Sequence, residues 1–246
     1  MSRRLMSVLT VGNDFSKRIF VLQDSTKISP FHDIKLFSHN NKSTFPAVIE
    51  ISRHNIAKYE VSVDEPYNPI KQDTRKNKNT GEKELRYYAR FPLFNYGMLP
   101  QTWENPFVKD HRINIEGDGD PLDIIEIGSH PVSCGSRLDI KVIGSFCLID
   151  QGQVDWKVLC INTIDPLSKK LHNPNDVEKV FPGKIPAIID WFENIKVFDG
   201  KPKNKVEGNV LGPEATLEII TDAHNHWKDL VAGKYPEANI WLNKSS

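Results

Sequence analysis

Leu138-Asp139-Ile140-Lys141-Val142-Ile143-Gly144-Ser145-Phe146-Cys147-Leu148-Ile149 is a long, apolar, β-branched run, and Trp156-Lys157-Val158-Leu159-Cys160-Ile161 answers it after the short link Gln151-Gly152-Gln153-Val154. Two such runs separated by a few residues that include Gly read as a β-hairpin. Working outward, Ala47–Ile51 is a further apolar run, Tyr59, Val61 and Val63 alternate with Lys58, Glu60 and Ser62, and Ile124–Ile127 follows a turn. Period two is the strand signal. The period changes in the last third. Pro186 suits the first position of a helix through Trp191, Phe192 and Ile195 that stops before Asp199-Gly200. Pro213 opens a second helix with Leu217, Ile220, Trp227 and Val231 on one stripe and Gly233 closing it. Lys71–Lys83 is polar and basic and reads as a loop or hairpin tip. These elements predict an α+β chain, mainly β, whose antiparallel sheet is closed or strongly curved with helices packed outside. No boundary divides the 246 residues, so one domain over 1–246 is expected.

Charge narrows the function. Lys and Arg number 32, as do Asp and Glu, so the basic excess of a nucleic-acid binder is missing and no nucleic-acid partner is expected. No apolar run is long enough to span a bilayer, and no membrane partner is expected. Met1–Thr10 carries Arg3 and Arg4 without an apolar core, which argues against a secretory signal. A cytoplasmic chain is expected, with the mitochondrial matrix or a polyphosphate-storing organelle as alternatives. Cys134, Cys147 and Cys160 are odd in number and unpaired in spacing, so they read as reduced structural thiols.

The chemistry concentrates in Gly117-Asp118-Gly119-Asp120-Pro121-Leu122-Asp123. Three carboxylates share one turn. Two unit charges about 5 Å apart repel by roughly 3 kcal/mol at an effective dielectric of about 20. Such a cluster survives folding if a cation neutralises it, and hard oxygen ligands suit Mg²⁺, Mn²⁺ or Ca²⁺. An EF-hand fails on spacing, because Leu122 and Asp123 fall where that loop needs a ligand and a Gly. Asp150 ends the long strand and Asp155 begins its partner, so the hairpin carries both to one end of the sheet. Asp155 and Lys157 share a face, as do Lys58 and Glu60, with Glu50 on the preceding strand. Acids with Lys58, Lys157, Arg86 and Lys196 make the inventory of phosphoryl transfer.

These residues resemble the soluble family I inorganic pyrophosphatases, above all their eukaryotic branch. Asp118-Gly119-Asp120-Pro121-Leu122-Asp123 fits that family's Asp-x-Asp-Pro-x-Asp turn in full. Phe31-His32-Asp33-Ile34, Val48-Ile49-Glu50-Ile51, Asn95-Tyr96-Gly97, Pro100-Gln101-Thr102-Trp103-Glu104, Asp155-Trp156-Lys157-Val158 and Trp227-Lys228-Asp229-Leu230-Val231-Ala232-Gly233-Lys234 add to it. The match spans about residues 11–236, leaving 1–10 as a short N-terminal extension. The resemblance implies a small OB-like five-stranded barrel with flanking hairpins and helices. It implies hydrolysis of inorganic diphosphate to two orthophosphates by a metal-activated water, with several Mg²⁺ ions and Mn²⁺, Zn²⁺ or Co²⁺ as substitutes. It implies a homodimer. Asp118, Asp123 and Asp155 match the ligands of the tighter Mg²⁺ pair, and Asp150, Glu60 and Glu50 match contributors to the substrate-borne metals. Asp120 matches the carboxylate that takes the proton of the attacking water. Lys58, Arg86, Lys157 and Lys196 match the cations that grip the phosphates, and Tyr96 the site tyrosine.

Two positions depart from the family. Phe91 or Pro92 stands where many relatives carry a tyrosine upstream of Asn-Tyr-Gly, and Ile195 stands where they carry Tyr before the lysine matched by Lys196. Each change removes a phenolic donor to phosphate, worth on the order of 1.5–3 kcal/mol. Tyr87 or Tyr88 offers compensation. A phosphatase acting on longer chains and a non-catalytic diphosphate-binding relative are the rival readings.

Overall fold

In the computed structural model, which describes residues 5–37, 44–77 and 79–242, the hairpin is where the sequence puts it. The chain runs through β1 (Met6–Val11), β2 (Arg18–Gln23), β3 (Thr26–Ile28), β4 (Thr44–Ile51), β5 (Tyr59–Val61), β6 (Ile70–Gln72), β7 (Thr74–Lys76), β8 (Lys83–Leu85), β9 (Asn95–Met98), β10 (Asp123–Glu126), β11 (Arg137–Asp150) and β12 (Gln153–Asn162). It then forms α1 (Pro174–Val180), α2 (Lys184–Asn194), β13 (Lys205–Leu211) and α3 (Pro213–Val231). Gln151 and Gly152 alone link β11 to β12, with φ of 53° and 90°, the doubly positive pair of a turn whose twist matches its strands.

The main sheet runs β12-β10-β9-β4-β11, and β11 pairs back onto β12, so five strands close a ring. β13 is added outside on β11. The OB-like barrel is therefore present. One pairing departs from the antiparallel expectation: β10 lies parallel to β12, with Asp123 beside Lys157. Closing the ring between these two strands demands it, because β10 is already antiparallel to β9. β1, β2, β6 and β5 form a second antiparallel sheet, and β7–β8 is a separate hairpin at the place read as a basic tip. Met6–Thr10, read as part of an extension, pairs along β2.

Alternation sorts the core. Along β12, Val154, Trp156, Val158 and Cys160 pack under α3 with Ile219, Ile220 and Ala223. Leu159 and Ile161 point the other way, under Ile185, Ile188, Trp191 and Phe192 of α2. Asp155 and Lys157 belong to that second face. A register shift between Val142 and Gly144 of β11 inverts the alternation, so that Ile140 and Val142 face the first core whereas Phe146 and Leu148 face the second.

Three details correct the helix reading. α2 starts at Lys184, so Pro186 sits third in the first turn, where an absent N–H still costs nothing; Glu178 caps this end through the N–H groups of Gly183 and Ile185. α3 begins at Pro213 as expected, but Val231 is 43% exposed and Leu230 takes the core position. At 3.6 residues per turn Leu230 continues the row of Ala223, and Val231 turns about 100° away. α1 and β13 escaped the sequence reading because they are short and only partly buried.

Gly97 sits where β9 is squeezed between β4 and β10; a Cβ there would meet the Val48 carbonyl and the Ile49 backbone. Gly97→Ala is expected to lower unfolding stability by about 3 kcal/mol, since backbone cannot yield as a side chain does. Gly152→Ala, which meets nothing within 4 Å, is expected to cost about 1 kcal/mol through its positive φ. Urea unfolding of both variants tests the difference.

Candidate active site

The acidic turn rests on a brace. Gly119 adopts a φ of +91°, which reverses the chain between Asp118 and Asp120. Asp118 Oδ1 accepts the Asp120 N–H at 3.0 Å. Thr102 Oγ1 accepts the Leu122 N–H at 3.0 Å, and Trp103 Nε1 donates to the Gly119 carbonyl at 2.9 Å. Glu104 N–H donates to the Asp120 carbonyl at 2.9 Å, and Gly119 N–H to the Glu104 carbonyl at 2.8 Å. The segment Thr102-Trp103-Glu104 thus holds the turn at several points.

The turn delivers Asp123 to the head of β10, beside Lys157. The Lys157 ammonium, 2% exposed, is bonded to both Asp123 and Asp155. It also donates to the Tyr96 hydroxyl at 3.1 Å, and that hydroxyl donates to Asp123. Burial disfavours the Lys157 charge, but Asp123 and Asp155 outweigh it and raise its pKa well above the ordinary value. Burial and Asp123 push the Tyr96 phenol well up.

One ammonium does not neutralise the cluster. Burial pushes Asp155 up to about 7, Lys157 opposing and Asp123 adding. Burial, then Asp155 and Asp120, hold Asp118 well above the carboxylate range. Asp120 stands at the exposed rim, yet lost hydration on its inner side, Glu60 and Asp123 push it up to about 7. Glu50, 4% exposed, is raised by burial and Asp123, and it accepts the Val61 N–H at 2.6 Å. Raised proton affinity in so many acids marks a place for positive charge.

Glu104 sharpens that point. Its Oε1 accepts the Trp156 N–H at 2.9 Å, whereas its buried Oε2 has no hydrogen-bond partner. Oxygens of Glu104, Asp118 and Asp155 lie within 4.8 Å of one another. An orphaned buried carboxylate oxygen among other carboxylates suits a hard divalent cation. Glu104 lies in the Pro100–Glu104 segment, where sequence alone assigns it no role; a carboxylate directly after a core tryptophan is the available signal.

On the facing wall Lys58 is bonded to Glu60 and, at 3.1 Å, to Asp73. Asp73, also missed from sequence, accepts Arg86 Nη1 at 2.9 Å and so ties Arg86 to Lys58. Glu50, Lys58, Glu60, Tyr96, Asp118, Asp120, Asp123 and Asp155 line one cavity of about 120 Å³. Lys157 lies behind its carboxylates. Lys196 is bonded to Asp150 beyond the cavity wall; burial lowers its pKa, Asp150 opposes, and Arg86 adds repulsion.

The tyrosine question has a geometric answer. Ile195 is 7% exposed and packs in the core under α2. Phe91 is 59% exposed, Pro92 is buried, and Tyr87 faces solvent. Tyr88 lines the acidic cavity. Burial pushes its phenol up to about 12, with Lys58 and Arg86 pulling down. Its ring stands edge-on to Trp191 at 4.9 Å, which fixes its direction.

A carboxylate-walled, cation-flanked pocket on a five-stranded barrel offers ligands for divalent cations beside groups that bind phosphate. Residues 47–228 match the family model described as inorganic pyrophosphatase. The chain is 40% identical over 233 residues to the inorganic pyrophosphatase of Zygosaccharomyces bailii, covering 92% of this chain and 79% of that one. It is 41% identical to the human inorganic pyrophosphatase, covering 88% and 75%. The solved inorganic pyrophosphatase of Schistosoma japonicum superposes with a TM-score of 0.86 at 37% identity, covering 93% and 81%. The chain belongs to the inorganic pyrophosphatase family.

Two predictions follow from this geometry. Tyr88→Phe is expected to raise the KM for diphosphate about tenfold, whereas Tyr87→Phe leaves it unchanged; steady-state kinetics of both variants checks this. In chelator, Asp155 binds a proton more tightly folded than unfolded. Its contribution to stability is full below about pH 4 and is lost as pH rises to about 7. The melting temperature of Asp155→Asn relative to the native chain is therefore expected to climb between about pH 4 and 7 in chelator. A flat difference would contradict the crowding of charge at this site.

Proposed function

We propose that this pocket hydrolyses inorganic diphosphate to two orthophosphates and that the reaction depends on Mg²⁺, with Mn²⁺, Zn²⁺ or Co²⁺ as substitutes. The observation that carries this is the orphaned Glu104 oxygen beside Asp118 and Asp155, in a cavity walled by further acids and by Lys58. Asp118, Asp123 and Asp155 would hold the tighter ions, with Glu104 next to them. Asp150, Glu60 and Glu50 would serve ions that arrive with substrate. Bound divalent ions neutralise phosphate oxygens and bring water toward a neutral pKa.

The chain's own residues do the rest. Arg86 and Lys58, joined through Asp73, hold one phosphate; Lys157 and Lys196 hold charge on the other. Tyr96, whose hydroxyl donates to Asp123 and accepts from Lys157, would turn that hydroxyl to a phosphate oxygen once a cation occupies Asp123. Asp120 stands at the rim with a proton affinity near neutral, the range suited to a general base, and takes the proton of the attacking water. Water attacks directly, so no phosphorylated side chain forms.

Phosphate release from diphosphate with Mg²⁺ and with chelator, on the native chain and Asp120→Asn, tests this reading. Mg²⁺-dependent release that falls about a hundredfold or more in the variant is expected. No release from the folded, Mg²⁺-supplied native chain would leave a diphosphate-binding protein instead.

A further inference from the structure

The cations set to hold phosphate stand on two separate arms of the chain. On one arm Arg86 and Lys58 are tied through backbone and side chain together. The Lys58 N–H donates to the Arg86 carbonyl at 3.1 Å, and the Arg86 N–H donates to the Asp73 carbonyl at 2.8 Å. The Asp73 carboxylate accepts from both cations. On the other arm Lys196 follows α2 and is bonded to Asp150 at the end of β11. Strand pairing does not join the arms, because β7 and β8 pair only with each other.

Asp199 crosses that gap. It ends the short turn Val197–Asp199 that follows Lys196, and Gly200, with a φ of 68°, closes the turn. The Asp199 N–H donates to the Lys196 carbonyl at 3.0 Å, and the Lys201 N–H donates to the same carbonyl at 3.2 Å. At the base of this segment the Asn204 N–H donates to the Glu193 carbonyl at 2.9 Å. Lys196 and Asp199 are therefore parts of one tight unit. From it the Asp199 carboxylate reaches the other arm twice. It is bonded to Arg75 of β7, which Glu84 holds at 2.6 Å, and its second oxygen stands 3.7 Å from Arg86 Nη2. At that distance the attraction to Arg86 is Coulombic rather than a hydrogen bond, whereas Asp73 holds Arg86 Nη1 at 2.9 Å. Arg86 is thus anchored at one nitrogen and steered at the other, so Nη2 can turn to a phosphate oxygen.

We propose that Asp199 is a positioning residue for diphosphate: it draws the turn that carries Lys196 onto Arg75 and Arg86, and so sets the spacing between the cations of the two phosphates. This role rests on the diphosphatase reading above. Arg86 and Lys196 belong to different phosphates in that reading, so the distance between their arms has to match the span of the substrate. Ion pairs of this exposure contribute little to unfolding stability, but a misplacement of about 1 Å in a group that positions substrate costs up to about a hundredfold. The effect of Asp199 therefore falls on substrate binding and leaves stability nearly unchanged.

The test measures steady-state kinetics with diphosphate and Mg²⁺, calorimetric binding of imidodiphosphate with Mg²⁺, and thermal melts. It compares the native chain with Asp199→Asn, Asp199→Glu, Arg75→Gln and the double variant Arg75→Gln, Asp199→Asn. Asp199→Asn is expected to raise KM and the imidodiphosphate Kd about tenfold, with kcat within about twofold and a melting shift below about 3 °C. Asp199→Glu restores most of the affinity. Arg75→Gln gives a smaller loss, and the double variant is no worse than Asp199→Asn, because one link is being cut twice. Unchanged or tighter binding in Asp199→Asn would overturn the proposal, since Asp199 would then be idle or a competitor for Arg86. Equal losses in the Asn and Glu variants, tracking a lowered melting temperature, would reduce Asp199 to a structural role and overturn it as well. If Asp199→Asn does not fold, Arg75→Gln decides by the same constants. A native chain that binds imidodiphosphate without turnover would sink the catalytic reading, and the Kd series would still decide the role of Asp199. A native chain that neither binds nor turns over would sink both.

Discussion

Everything at this site depends on one buried ammonium. Lys157 lies between Asp123 and Asp155 at the seam where β10 meets β12. Without it, two carboxylates would face each other across neighbouring strands in a low-dielectric interior, each pair costing several kcal/mol. With it, the two are held in place but the group as a whole stays negative. Burial first, and that residual charge after it, keep the proton affinities of Asp155, Asp118 and Asp120 high, and the charge calls for further cations. The seam is the one parallel pairing of the barrel, so closure of the ring and assembly of the site are the same event.

Rigid support comes from backbone rather than from long side chains. The Asp118–Asp123 turn is fastened by Thr102, Trp103 and Glu104, and Trp103 is fully buried. Tyr96 lies next to Gly97, whose missing side chain lets β9 press against β4. Ligand-bearing residues held by strands and by a braced turn lose little freedom when ions and phosphate arrive. By contrast, Arg86 and Lys196 are followed or preceded by exposed chain, the β7–β8 hairpin before Arg86 and Val197–Phe198 after Lys196. The pocket therefore has a stiff acidic wall and a more open cationic one.

Much of this was legible in the order of residues. The hairpin, β4, β5, β10, the carboxylate turn and the start of α3 are local, because alternation and turn chemistry act over a few positions; the four-residue ring strand β9 was not legible. Asp155 and Lys157 sharing a face follows from strand period alone, and the ion pair bears it out. The short strand β13 and helix α1 were not legible, since neither carries a sustained apolar pattern.

Other facts belong to the tertiary structure. The parallel pairing of β10 with β12 could not be read locally, because it follows from ring closure among strands far apart in sequence. Glu104 and Asp73 acquire meaning when distant carboxylates and cations come to rest beside them. Tyr88 and Tyr87 are adjacent and chemically identical; packing of one ring on Trp191 turns it to the site and leaves the other in solvent. Residue type and spacing by themselves determined which chemistry this chain can host. Long-range packing decided which of several eligible side chains reach it, because direction in space is set by contacts that a linear order does not contain.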